Sequence, residues 1–308
     1  MEELSSARRR ASCLEPLTPL FGESGAACVR LPRQRWHFQH GPIDLVIGAD
    51  GAPDAVERAV DTAWTRFQTI LVELVEELGC LRAPVHEATA MRGVVAKRML
   101  QACLPHRDQF ITPMAAVAGA VADEIIACFK TDPGIARAYV NNGGDIALHL
   151  TCAEQYRIGL FADIGRLKRR ETLCLDGDLA ISAAMPVRGV ATSGWRGRSF
   201  SLGIADSVTV LAATAARADA AATMVANSVN VDDPAILRKP ACELKDDTDL
   251  GDRQVTVDVG PLSGAAVAQA LAAGEAAAQG LIERGVIDAA ALWLQGSARV
   301  VGAALPTN

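Results

Sequence analysis

Aromatic residues are scarce in this chain of 308 residues: seven Phe, four Trp and two Tyr make up only 4% of it. Half of the residues are nevertheless hydrophobic, Ala, Leu and Val foremost, which predicts a core of closely packed helices and strands with few large rings. A basic excess is missing as well. The formal net charge of −6 excludes a general nucleic-acid surface, which needs clustered Lys and Arg, but it leaves room for a small anion held locally. No apolar run approaches the length of a membrane span. The eight cysteines contain no Cys-x-x-Cys pair, and their spacing fits neither a zinc site nor a small disulfide scaffold. They read as reduced, mostly buried thiols. Arg8-Arg9-Arg10 lacks the apolar stretch of a secretion signal behind it, and Ala11-Ser12-Cys13 looks like a lipoprotein box without the run that such a box requires. The expected location is the cytoplasm, with no membrane and no nucleic-acid partner.

What is present divides in a simple way. Residues 1–33 carry Pro, Arg and Ser without periodicity and read as a flexible lead-in; residues 34–308 read as one domain. A hairpin turns at Gly41-Pro42, and Pro53 opens a long amphipathic helix that Gly79 stops. A second, basic helical pattern runs from about Ala88 to Cys103. Thr112-Pro113 has the form of an N-cap followed by a first-turn proline. The helix behind it is made of small residues as far as Asp123 and would admit a close backbone or a flat ligand. Residues 232–252 are polar and read as loop. A long Ala-rich helix (264–284) and a last hairpin close the chain. No tandem repeat is visible, yet the alternation of strands and helices suggests two related halves.

The residues with chemistry cluster in three places. Tyr139-Val140-Asn141-Asn142-Gly143-Gly144-Asp145-Ile146 reads as strand, tight turn, strand, because Asn and Gly tolerate the positive φ of such turns. Glycine also lets a ligand reach the main chain, whose free N–H groups can bind an anion. The loop Thr192-Ser193-Gly194-Trp195-Arg196-Gly197-Arg198 joins hydroxyls to guanidinium groups, a combination suited to phosphate. Asp219 and Thr223 stand four apart on one helix face, offering two hard oxygen ligands of the kind Mg²⁺ takes.

In this order, the three clusters resemble the ApbE-like superfamily, whose best-known members are magnesium-dependent FAD:protein FMN transferases. Asn142-Gly143-Gly144-Asp145 matches that family's Gly-Gly-Asp turn, and Ala191-Thr192-Ser193-Gly194 its Thr-Ser-Gly loop. Ser207-Val208-Thr209-Val210 matches the strand before the metal helix, and Ala218-Asp219 through Thr223 its Ala-Asp-x-x-x-Thr segment. Ala118-Gly119 through Asp123 is similar to the helix that carries Lys-Gly-x-x-x-Asp. The resembling region runs from about Phe110 to Asn230. Phe110-Ile111-Thr112-Pro113-Met114 together with the Asn-Asn-Gly-Gly-Asp turn is similar to a shorter, cytoplasmic branch of the superfamily.

The resemblance implies an α+β fold of the ApbE-like, T-fold-related kind, with sheets packed on long helices. It implies a flavin nucleotide such as FAD at Asn142, Gly143, Gly144, Asp145, Thr192, Ser193, Gly194 and Arg198, and Mg²⁺ at Asp219, Thr223 and Asp206. The implied reaction is pyrophosphate cleavage of FAD, or FMN transfer to a threonine or serine of an acceptor protein. Two departures bear on it. The family's His-Ile-Ile-Asp-Pro-x-Thr-Gly segment is reduced here to Ser201-Leu202-Gly203-Ile204-Ala205-Asp206, and Ala118 stands where the family has lysine. The alternative is therefore a non-catalytic nucleotide- or pterin-binding scaffold, with a contextual link to tetrahydromethanopterin one-carbon metabolism.

Overall fold

Alternation of apolar and polar residues between Ala27 and Gly51 produces three antiparallel strands in the computed structural model, which describes residues 20–21, 25–86, 90–160 and 177–302. A short β1 (Leu20–Phe21) pairs with β2 (Ala27–Leu31), which pairs with β3 (Arg35–His40), and β3 with β4 (Ile43–Gly51). The sheet thus begins before Gln34, the boundary expected from sequence. Of that lead-in, residues 1–19 and 22–24 lie outside the described residues. So do 87–89, where the second helical pattern was expected to start.

Helix α1 (Pro53–Glu76) opens on its proline and buries Val56, Ala59, Val60, Ala63, Phe67, Ile70 and Leu74 along one stripe. Next come α2 (Val94–Cys103) and α3 (Val117–Lys130), then the hairpin β5 (Ile135–Asn142) and β6 (Asp145–Leu150). A separate antiparallel pair follows, β7 (Gln155–Leu160) with β8 (Gly177–Ser182). The second half contains β9 (Gly189–Ser193), β10 (Ser207–Ala212), α4 (Ala215–Ser228), β11 (Ile236–Pro240), β12 (Gln254–Val259), α5 (Gly264–Glu283), β13 (Ala289–Leu294) and β14 (Ser297–Val301). The stretch 232–252, read as loop, therefore holds a strand. Leu237 and Lys239 alternate there with half-buried neighbours, and β12 supplies the partner that no local pattern could announce.

Among the described residues, ten strands form one antiparallel sheet in the order β1-β2-β3-β4-β5-β6-β9-β10-β13-β14. Alternation assigns its faces. Val140, Ala147, Val210 and Ala290 pack with the helices, whereas Leu148, Leu211 and Ala289 pack with Leu179 and Ile181 of β8 on the other side. On the helix side α1 lies against α3, α3 against α4, and α4 against α5. Each half repeats one plan: a hairpin, two long helices and a second hairpin that pairs with the first. The halves are β3-β4-α1-α3-β5-β6 and β9-β10-α4-α5-β13-β14, joined edge to edge by β6 and β9. This is the α+β architecture with two related halves that the sequence suggested.

Two local expectations change. Thr112 precedes a 3-10 turn, but its hydroxyl does not cap it; it donates to Asp249 instead. The small residues of α3 serve close packing of helix on helix, since a Cβ on Gly119 would overlap the carbonyl of Ala215. Of the described cysteines, Cys28 and Cys103 are buried and Cys128 is half-buried, while Cys80, Cys152 and Cys242 are exposed; all six are free. No helix among the described residues is long and apolar enough to cross a membrane.

Candidate functional site

The β5–β6 turn is a two-residue loop. Gly143 and Gly144 adopt φ of +67° and +119°, and Asn142 faces Asp145 across the last rung of the ladder. The side chain of Asn141 accepts a hydrogen bond from the Gly144 N–H at 2.8 Å, closing the turn from outside. Cross-strand partners share a face, so Asn142 and Asp145 both point to the helix side, like Val140 and Ala147. Asn142 is buried there, and its amide donates to the Ala118 carbonyl at 3.1 Å. That bond fixes the turn against the start of α3.

Where β6 and β9 part, the Asp145 carboxylate accepts the Thr192 N–H at 3.3 Å. Thr192 itself points to the far face, where its hydroxyl meets that of Thr209 at 2.9 Å. Ser193, opposite Val208 in the register, faces the helices with Asp145. The Thr-Ser-Gly segment thus offers the site a main-chain N–H and one hydroxyl. The guanidinium of Arg198 lies on the turn at Gly143, in space that any Cβ there would occupy.

Helix α4 brings the second carboxylate. No side chain within its own segment caps the start of α3, whose N-cap residue is Ala116. Asp219 supplies that cap from across the helix pair. It accepts the Gly119 N–H at 2.9 Å, with the Ala118 N–H alongside. The exchange is reciprocal, because Asp123 of α3 accepts the first N–H groups of α4, Ala215 at 3.0 Å and Ala216 at 2.9 Å. Thr223 follows Asp219 one turn later on the same helix face.

Asp145 and Asp219 sense each other. Burial raises the pKa of Asp219 well above the usual carboxylate range, and the charge of Asp145 raises it further; its main-chain hydrogen bonds act the other way. Burial likewise raises Asp145, against the Thr192 N–H and the charge of Arg198. Two carboxylates in so dry a place stay ionised together only if a cation joins them. No group of three or more His, Cys, Asp or Glu among the described residues is arranged to hold a metal. A cation here would depend on two carboxylates, the Thr223 hydroxyl, and oxygens of water or ligand. That set suits Mg²⁺, which binds few protein ligands and keeps its waters.

Asp206 belongs to other company. Its carboxylate accepts the Gln295 N–H at 2.6 Å and the Trp195 indole N–H at 3.3 Å, and it lies 4.0 Å from Arg196. It fastens the loop after β9 to the β13–β14 turn, and these bonds do not bring it to Asp219. Of the residues expected from sequence, Asn142, Gly143, Gly144, Asp145, Ser193 and Arg198 gather at the turn, with Asp219 beside them. Thr192 joins through its main chain. Sequence reasoning missed the cap supplied by Asp123. The one available sign concerned the reciprocal cap by Asp219, a start of α3 at Ala116 with no Ser, Thr, Asp or Asn to cap it; α4 begins on its own cap, Thr214, and gave no sign of Asp123.

The family model described as AbpE bacteria matches residues 27–300 of the chain. A UPF0280 protein of Methanopyrus kandleri is 37% identical over 155 residues, covering 50% of this chain and 56% of that protein. A UPF0280 protein of Methanoregula boonei is 31% identical over 183 residues, covering 50% of this chain and 74% of the relative. The chain thus spans little more than half the length of the Methanopyrus relative. Among solved structures, the flavin transferase ApbE of Vibrio cholerae is similar with a TM-score of 0.46 and 12% identity, over 87% of this chain and 96% of that one. The flavinyl transferase ApbE of Pseudomonas stutzeri, in its apo form, gives 0.43 and 12%, over 87% and 93%.

Proposed function

The chain belongs to the AbpE bacteria family, and from that premise we propose that it binds a flavin nucleotide such as FAD with Mg²⁺ and acts on the pyrophosphate. The observation that carries this reading is the meeting of Asp145 and Asp219 beside a Gly-Gly turn on which a guanidinium rests. Oxygens of Asp145, Asp219 and Thr223 would hold the metal. Magnesium bound there would supply charge neutralisation at the pyrophosphate. The protein's own part is placement. The bare main chain at Gly143-Gly144 admits the ligand closely, Arg198 offers paired donors to phosphate oxygens, and Ser193 offers a hydroxyl from the neighbouring strand. FMN transfer would break the pyrophosphate bond at the FMN phosphorus, join that phosphorus to a Thr or Ser oxygen of an acceptor protein, and release AMP.

A second reading, that of a carrier which holds the nucleotide intact, draws on the segment 201–206. Its main chain is consumed in packing: Leu202 N–H donates to Asn227 at 2.9 Å, Ile204 N–H to the Val229 carbonyl at 2.9 Å, and the Ser201 carbonyl accepts from Thr256 at 2.9 Å. The segment's one ionisable side chain is Asp206, already bound to Gln295 and Trp195. It therefore offers no free base to take the acceptor's proton.

Titration with FAD, with and without Mg²⁺, followed by chromatography of the nucleotides, separates the readings. Magnesium-dependent AMP that disappears in Asp219→Ala supports pyrophosphate chemistry at this site. Tight binding with FAD intact supports the carrier. Absence of binding in both conditions overturns the flavin assignment.

A further inference from the structure

Asp123 lies on the opposite side of the α3–α4 contact from the proposed ligands, yet it governs where one of them stands. A helix start leaves four N–H groups without intrahelical partners. In α4 the three that follow the N-cap Thr214 are accounted for. Asp123 accepts those of Ala215 and Ala216, and the Thr214 hydroxyl accepts that of Arg217 at 3.3 Å. Two of these three bonds thus come from α3 and not from α4's own segment. At the same level the Ala215 carbonyl lies against Gly119 with no room for a Cβ between them. The height and rotation of α4 relative to α3 are fixed at this point. Asp219 is one turn further along α4, where it reaches the N–H groups of Ala118 and Gly119, while Asp145 is held separately on the sheet. The distance between the two carboxylates consequently depends on how α4 is seated.

We infer that Asp123 is a positioning residue for the divalent-cation site, clamping the start of α4 so that Asp219 meets Asp145. The inference rests on the reading of Asp145 and Asp219 as that site.

The test uses Mn²⁺ as a paramagnetic stand-in for Mg²⁺, titrated into the full chain and followed by electron paramagnetic resonance. Loss of an outer partner of a metal ligand commonly weakens affinity roughly 10- to 100-fold, and Asp123→Ala is expected in that range. Asp123→Asn keeps one accepting oxygen and should recover part of the affinity. Glu77→Ala is the control for a purely structural effect: Glu77 accepts the N–H groups of Arg92 and Gly93 at 2.7 Å each, the same kind of clamp at the start of α2. It should lower stability and leave Mn²⁺ affinity unchanged. Wild-type affinity in Asp123→Ala, or equal losses in the Ala and Asn variants, would overturn the clamp, the second because it would assign the effect to charge alone. Failure of the unmodified protein to take up Mn²⁺ would instead overturn the cation site on which the inference rests.

Discussion

Replacing Gly119 by alanine tests the close crossing on which the site depends. A Cβ at Gly119 would overlap the Ala215 carbonyl oxygen, standing 2.5 Å from the carbonyl carbon and 2.7 Å from the Ala216 nitrogen. Favourable contacts begin near about 3.5 Å, so the two helices must part by roughly 1 Å. Both obstacles are backbone, and neither can turn aside as a side chain would. Overpacking of this kind costs about 1–3 kcal/mol. Parting the helices also stretches the bonds from Asp219 to Gly119 and from Asp123 to Ala215 and Ala216, each a charge-assisted bond of about 1.5–3 kcal/mol if lost outright. Alanine's better helix propensity returns about 1 kcal/mol. The balance is a net destabilisation of about 1–3 kcal/mol.

Gly280 provides the comparison within the same molecule. It too is helical, in α5, but nothing lies within 4 Å of its would-be Cβ. Gly280→Ala should therefore stabilise the protein by about 0.5–1 kcal/mol, through propensity alone. The assay is urea denaturation of both variants, with the slope checked for constancy so that a midpoint shift reports stability. The two substitutions are chemically identical, and the prediction is that their signs are opposite. A Gly119→Ala protein as stable as the parent, or more so, would refute the crossing as described.

Two further outcomes follow from particular side chains. His106 is buried, its Nε2 without a hydrogen-bond partner among the described residues, and burial together with the charge of Arg284 lowers its pKa to about 4 from 6.5. The unfolded chain therefore takes up the proton first, and the stability this group contributes is complete above about pH 6.5 and falls away toward about pH 4, by at most about 3 kcal/mol; His106→Leu should flatten that part of the difference between urea midpoints at about pH 7.5 and about pH 4.5, and an unchanged difference would reject the assignment. Gly143→Ala would place a side chain at φ +67° and in the space of the Arg198 guanidinium, so FAD affinity by fluorescence quenching should fall about 10-fold, the worth of one charge-assisted bond; undiminished affinity would remove Arg198 from the site.

The elements were legible in the sequence wherever the cause was local. Asn142-Gly143-Gly144-Asp145 shows its turn because two consecutive positive φ angles leave few other residue choices. Pro53 marks the start of α1, and the Ala-rich run from Gly264 that of α5, where the structure adds the Ser263 hydroxyl as cap of the Ala266 N–H. Legibility ended where a residue's partner is remote. Thr112 has the sequence of an N-cap, yet its hydroxyl bonds a carboxylate 137 positions away. Asp206 stands where a metal ligand was expected, but the turn after β13 claims it through Gln295. The small residues of α3 were consistent with a ligand or a neighbouring helix, and only the position of Ala215 decides for the helix. Asp123 and Asp219 each cap a helix about a hundred positions away, and no period or spacing encodes that.

The two helix caps and the Gly119–Ala215 contact share one location, the junction between the two halves. The sheet is thin there: β6 and β9 pair through Ile146 with Val190 and Ala147 with Gly189, continued by the Leu148 N–H bond to the Arg188 carbonyl at 2.9 Å. One step further, the Asp145 carboxylate takes the Thr192 N–H in place of the ladder. Above this seam, α3 of the first half and α4 of the second exchange caps through Asp219 and Asp123. Asp145 thus comes from one half, and Asp219, Thr223, Ser193 and Arg198 from the other. Neither half alone carries the pair of carboxylates, so a cation or phosphate bound between them would also bind the halves together. A ligand that prefers the closed seam must raise the stability of the whole chain by the same free energy with which the seam favours the ligand. Thermal stabilisation by Mg²⁺ should accordingly require both Asp145 and Asp219, one carboxylate from each side.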